Sequence, residues 1–175
     1  MGRFGIGERT VARRLDFVSA VLKKANVSLR PMREHDIAGV CAIEQRSYDF
    51  PWSAGVFTDC FRVGYCCWTI VENIQLAGYG IMNVAARECH ILNICVDPSY
   101  RRRSYATALL DQLLESAETH GATAAYLEVR PSNVAAIDLY LKSGFSRIGE
   151  RSSYYPAKNG REDALVLSKP LVPPG

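Results

Sequence analysis

Between Tyr65 and Asp97, three apolar runs of strand length, YCCWTIVE, LAGYGIMNV and CHILNICVD, follow one another with only NIQ and AARE between them. Strand formers packed this closely around short turn segments predict an antiparallel meander. The third run leads through PSYRRR into Ser104 to His120, where Leu109, Leu110, Leu113, Leu114 and Ala117 trace one helical face and Gly121 supplies a stop. The sheet must therefore carry a helix on that side. TAAYLEV predicts a further strand, SNVAAIDLYLKSG a helix capped by Ser132 or Asn133 and ended by Gly144, and FSRIGERSSYY with EDALVLSK two closing strands. Upstream, VSLRPMRE reads as a first strand, and helical segments around Asp36 to Ser47 and Ser53 to Phe61 are broken at Pro51. The fold class is α/β (α+β): a mixed central sheet with helices on both faces.

At 175 residues, with 48% hydrophobic and 22% charged residues, the chain fits one ordinary domain with its own core. A formal net charge of +3 is too small to argue for nucleic acid as a direct partner. The six cysteines form no C-x-x-C pair and read as reduced, mostly buried thiols. Cys66 and Cys67 are adjacent in a strand and face opposite sides, which argues against a disulfide between them. No metal site is expected. No window approaches ~18 uninterrupted apolar residues and no signal peptide is evident, so a cytoplasmic protein without a membrane partner is expected. Residues 1–26 are basic, with Val11, Leu15, Val18 and Leu22 at helical spacing; this extension is expected to be helical or partly disordered. A domain over 27–170 and a tail over 171–175 complete the organisation.

The three arginines before a helix start pose a physical question. That junction already carries unpaired backbone N–H groups and the positive end of the helix dipole, so Arg101, Arg102 and Arg103 suit an anion, and the junction reads as a phosphate seat. Arg101-x-x-Ser104-x-Ala106 resembles the (Gln/Arg)-x-x-Gly-x-(Gly/Ala) loop of the GNAT acetyltransferases, which cradles the pyrophosphate of acetyl-CoA; Ser104 departs from its usual glycine. A solvated arginine cluster is the other reading of the loop taken alone. With PWS (51–53), YLEVRPSNVAAIDLYLKSGF and YYPAKNGREDALVL, the chain resembles the bacterial ribosomal-protein alanine N-acetyltransferases, the RimI branch of GNAT, over about residues 27 to 170.

The resemblance implies the GNAT fold, with splayed central strands around Ile94 and Leu127 that admit acetyl-CoA. It places backbone of the segment around Ile94, Cys95 and Val96 against the pantetheine arm, and Arg101, Arg102, Arg103, Ser104, Tyr105 and Ala106 around the pyrophosphate. It makes Glu128 the general base and Tyr140 the general acid, with Asn133 and Tyr140 lining the cofactor groove. The chemistry agrees with those residue types: an α-amine of pKa ~7.7–8 needs only a modest base, and a phenol of pKa ~10 keeps its proton at neutral pH for a departing thiolate. Glu128 could instead pair with Arg130 or Arg151, and a tyrosine on an amphipathic helix could be core. Cys95 has no histidine placed by motif to activate it, so direct transfer in a ternary complex is preferred over a thiol intermediate.

On the acceptor side the resemblance suggests that Trp52, Tyr154, Glu162 and Asp163 contact a protein N-terminus, although the two acids could pair with Arg161 or Arg151. The expected function is acetylation of the N-terminal alanine of a small-subunit ribosomal protein by a monomer or weak dimer. A broader protein N-terminal or small-amine acetyltransferase, and a catalytically weak acyl-CoA-binding protein, remain open at this point.

Overall fold

The computed structural model describes residues 26–171. The basic extension expected over residues 1–26 lies, apart from Asn26, outside the described residues, as does the tail beyond Leu171. Leu171 itself, expected in the tail, is 5% exposed and its N–H donates to the Thr123 carbonyl at 2.8 Å.

The elements run β1 (Val27–Pro31), α1 (Ile37–Ser47), α2 (Ala54–Arg62), β2 (Cys66–Glu72), β3 (Gln75–Ala85), β4 (Glu88–Val96), α3 (Tyr105–Thr119), β5 (Ala124–Val129), α4 (Val134–Lys142), β6 (Ser146–Ala157) and β7 (Gly160–Pro170). One seven-stranded sheet has the order β1-β2-β3-β4-β5-β7-β6. β1 to β4 are antiparallel neighbours, β4 and β5 are parallel, and β5, β7 and β6 are again antiparallel. The parallel step requires a crossover, which α3 supplies.

Alternation along the strands divides the apolar residues between two faces. On one, Leu110, Leu113 and Leu114 of α3 pack on Met82, Ile91 and Leu127, with Tyr140 and Phe145 joining from α4 and its end. On the other, Val40 and Ile43 of α1 and Phe57 and Cys60 of α2 cover Tyr79, Ile81 and Cys95. The expected helices on both faces are thus present, and so are the caps: Asn133, rather than Ser132, accepts from the Ala136 N–H at 3.2 Å, and Gly121 and Gly144 stand at φ 78° and 88° after their helices.

Where β3 meets β4 the backbones approach closely. A Cβ added at Gly78 would lie 2.7 Å from the Cys95 carbonyl oxygen and 3.2 Å from the Val96 Cα, both backbone atoms that cannot turn aside. Gly78→Ala is therefore expected to lower the unfolding free energy by about 1–3 kcal/mol, read from the urea midpoint, because β3 and β4 must separate to admit one methyl group.

Candidate active site

The sheet opens at its centre. β4 and β5 are paired from Glu88–Ala124 to Ile91–Leu127 and no further. At that point Ile81 pairs with Asn93 and Met82 with Ile91, so Leu92 is an extra residue bulged out of β4. β4 then stays on β3 to Val96, and β5 stays on β7 to Val129. The facing edges of Leu92–Val96 and Glu128–Val129 are left with backbone groups directed at one another across a gap.

A cavity of about 1010 Å³ occupies this opening. Its floor is the bulged part of β4, its sides are the α1–α2 connection and the β6–β7 hairpin, and α4 closes it with Asn133, Ala136 and Tyr140. Because Leu127 and Val129 belong to the α3 face, Glu128 belongs to the opposite one, and Tyr140 reaches the gap from the α3 side. A carboxylate and a phenol therefore meet one cavity from the two faces of the sheet. Burial pushes the Tyr140 hydroxyl up to about 12, so it holds its proton throughout the neutral range.

The α1–α2 wall is fixed by a buried acid. Glu44 is 2% exposed; its Oε1 accepts from the Trp52 backbone N–H at 3.0 Å, while Oε2 accepts from the Tyr79 hydroxyl and from Asn93 Nδ2 at 3.4 Å. Tyr48, from the same wall, donates its hydroxyl to the Ile94 carbonyl at 3.4 Å, on the open edge of β4. Burial raises the pKa of Tyr48, and Tyr79 follows for the same reason, so both remain donors. One carboxylate thereby ties the Trp52 segment to the sheet beside the bulge.

The hairpin wall carries two ion pairs. Arg130 donates to Glu162 at 3.1 Å and to the Pro156 carbonyl at 2.9 Å while lying over the Tyr155 ring at 4.3 Å. Glu162 also accepts from the Ser132 N–H at 2.9 Å; the Ser132 side chain first, then its backbone N–H and Arg130, hold the Glu162 carboxyl below the ordinary range. Arg151 donates through Nε to Glu128 Oε1 at 3.0 Å. At the mouth, Lys158 of the hairpin meets Asp49 of the α1–α2 connection at 3.1 Å.

After β4, the chain turns through Asp97, whose carboxylate accepts from the Ser99 N–H at 2.9 Å and from the Arg46 guanidinium. Arg102 and Ser104 adopt φ of 63° and 64°. Ser104 is the N-cap of α3, yet its hydroxyl caps nothing, and the first turn of α3 contains no acid. Of the three arginines, Arg103 is held by both oxygens of Glu72, at 3.0 and 2.9 Å, and Glu72 also accepts from the Tyr105 hydroxyl at 2.6 Å. Arg101 and Arg102 form no ion pair among the described residues.

Of the residues singled out from the sequence, the cavity wall brings together Ile94, Glu128, Asn133, Tyr140, Trp52 and Glu162. Cys95 and Val96 are not in it; the Cys95 side chain is buried in the α1 face, where desolvation raises its thiol pKa. Arg101 to Ala106 stand beyond the end of β4, outside the cavity. Tyr154 and Asp163 are also outside its lining: Tyr154 is 43% exposed, and Asp163 accepts from the Ser153 N–H at 2.7 Å. Tyr155, its neighbour in sequence, lines the cavity instead. The bulge at Leu92, Glu44 and Tyr155 escaped the sequence reading. Glu44 had a usable signal, since it lies four residues after Val40 and next to Ile43 on the apolar stripe of α1, where an acid must find donors.

The sequence matches the acetyltransferase (GNAT) family over residues 36–145. It is 38% identical over 136 residues to the [Ribosomal protein bS18]-alanine N-acetyltransferase of Escherichia coli K12, covering 78% of this chain and 92% of that one. The protein of the same name from Salmonella typhimurium LT2 is 37% identical over the same shares. The crystal structure of the ribosomal-protein-S18-alanine N-acetyltransferase from Escherichia coli superposes with a TM-score of 0.80 at 36% identity, over 85% of this chain and 96% of that one. With its mixed sheet opened between β4 and β5, the chain belongs to the GNAT acetyltransferase family and is an acyltransferase.

Proposed function

We propose that the protein transfers acetyl from acetyl-CoA to the α-amine of the N-terminal alanine of a small-subunit ribosomal protein, by direct attack in a ternary complex. The likeness to proteins named for bS18-alanine acetylation, extending over 92% of their length, is the observation that carries the acceptor.

The local chemistry fits the donor. An α3 start with an uncapped first turn, no acid in it, and two arginines without ion pairs among the described residues suits a diphosphate. Arg101 to Ala106 would hold that pyrophosphate, and the open edge of β4 around Ile94 would pair with the pantetheine amides. Bound there, acetyl-CoA supplies an activated acetyl thioester.

Glu128 takes the proton from the acceptor's α-ammonium, directly or through one water, so that a neutral amine attacks the acetyl carbon. Tyr140 gives its proton to the sulfur as the C–S bond breaks, and the second proton shed by the acylated nitrogen returns to the phenolate through solvent, leaving an amide, a thiol and the one proton taken by Glu128. Trp52, held by Glu44, and Glu162, held by Arg130 and Ser132, wall the acceptor channel. Tyr154 and Asp163 would touch the acceptor at the channel's outer rim.

The test is mass-spectrometric: a peptide with a free Ala-Arg-Tyr terminus should be acetylated with acetyl-CoA, and an N-blocked peptide bearing an accessible lysine should not. Acetylation of the lysine peptide alone would reject the α-amine reading. Glu128→Gln is expected to lower kcat about 10²–10⁴-fold, the usual contribution of a positioned base, with the KM for acetyl-CoA nearly unchanged. Tyr140→Phe should slow turnover less, since a thiolate departs without obligatory assistance.

Ser104→Gly is expected to raise the unfolding free energy by about 1 kcal/mol, because a left-handed backbone is strained for any residue with a Cβ. Chemical denaturation checks it. The KM for acetyl-CoA should stay within about twofold, since the loop conformation is already the one that glycine favours.

A further inference from the structure

We infer that Arg151 is a positioning residue for Glu128, fixing which carboxylate oxygen is presented to the acceptor amine. The inference rests on Glu128 serving as the proton acceptor and assigns a function to a residue beyond the cavity lining.

Arg151 and Arg130 are the two arginines that approach this part of the wall. Arg130 is committed to Glu162, to the Pro156 carbonyl and to the Tyr155 ring. Glu128 therefore has Arg151 as its cationic partner among the described residues, through one hydrogen bond, Nε to Oε1 at 3.0 Å. Oε2 has no protein donor among the described residues. A lone hydrogen bond of this kind sets the rotamer of the carboxylate and leaves one oxygen for the incoming ammonium.

The backbone beneath Arg151 is built to hold that geometry. Arg151 pairs with Ala164, and register resumes only at Tyr155–Glu162, so three residues of β6 face one of β7. Ser153 in this bulge has φ 53°. Its N–H donates to Asp163 at 2.7 Å, while Arg161 donates to the Ser153 and Tyr154 carbonyls, each at 2.5 Å. The bulge also turns the Tyr154 ring to the Arg151 guanidinium, 5.8 Å from the ring centroid. Asp163 and Tyr154 thus act at one remove, by holding the strand and the arginine that hold the base. With the Arg151 side chain 56% exposed and that of Glu128 22%, the pair contributes little to stability, so its geometry is the property to test.

The experiment is a double-substitution cycle on the full chain with acetyl-CoA and the free Ala-Arg-Tyr peptide, comparing the parent, R151A, E128Q and the double variant. Expected are a fall in kcat of about tenfold for R151A, a KM for acetyl-CoA within about twofold, an unchanged urea midpoint, and no further loss when R151A is added to E128Q. Full activity of E128Q would remove Glu128 from proton transfer, and the inference with it. A slow E128Q combined with either an unaffected R151A or an equal additional loss in the double variant would overturn the role of Arg151 alone. Should R151A not fold, R151K, which keeps the charge but loses the Nε donor, carries the same cycle with the same expected and overturning results.

Discussion

The site depends on β4 and β5 pairing over four residue pairs and then ceasing to pair. Parallel neighbours at the centre of a sheet ordinarily continue their ladder, since unpaired backbone groups there are costly. Here Leu92 is bulged out one residue past Ile91, the ladder ends, and each strand keeps only its outer partner. The gap stays open because each half of the sheet is anchored independently: β3 and β4 under α1 and α3, β5 against β7. A cavity made this way has backbone donors and acceptors on its walls without any side chain being spent on them.

Holding the α1–α2 wall against such a gap calls for something stiffer than apolar packing. Glu44 supplies it. A carboxylate 2% exposed would be prohibitive without donors, and here three converge on it from three segments: the Trp52 backbone, Tyr79 in β3 and Asn93 in β4. Satisfied in this way, the buried acid disfavours any other placement of the Trp52 segment, since withdrawing a donor would leave charge unmatched. The Trp52 and Phe57 rings then pack at 5.5 Å, and Phe57 meets Tyr79 edge-on at the same separation. Polar and aromatic contacts thus converge on one piece of chain.

Much of this was legible in the sequence, for identifiable reasons. Period-two runs and short turns gave the meander, and the Leu109 to Ala117 stripe with Gly121 gave α3 to within a residue at each end. Glu128 and Tyr140 were singled out through the family resemblance, and the structure brings both to one cavity. What was not legible is what depends on register. No single-residue signal marks Leu92 as the bulge, because Ile91, Leu92 and Ile94 fit a regular strand equally well. The same holds at the hairpin: three β6 residues opposite one of β7 move Tyr155, rather than Tyr154, into the wall, and no alternation rule anticipates that shift. The two hairpin turns at Asn73-Ile74 and Ala86-Arg87 take positive φ without a glycine, so their turn type was equally hidden.

The arginine triplet shows how charge is apportioned once a chain folds. Three adjacent cations at a helix start would repel one another and the dipole, but Glu72 lies one strand end away and takes Arg103 with both oxygens while accepting from Tyr105, the first residue of α3. Arg103 therefore clamps the helix start to the sheet. Arg102 and Ser104 flank it in left-handed conformations. A serine held at positive φ with its hydroxyl unused as a cap is difficult to explain as a device for stability. It is consistent with a loop whose backbone shape is dictated by the diphosphate proposed to sit there, and the strain at Ser104 is tolerated because the Glu72–Arg103–Tyr105 cluster fixes the turn on its other side.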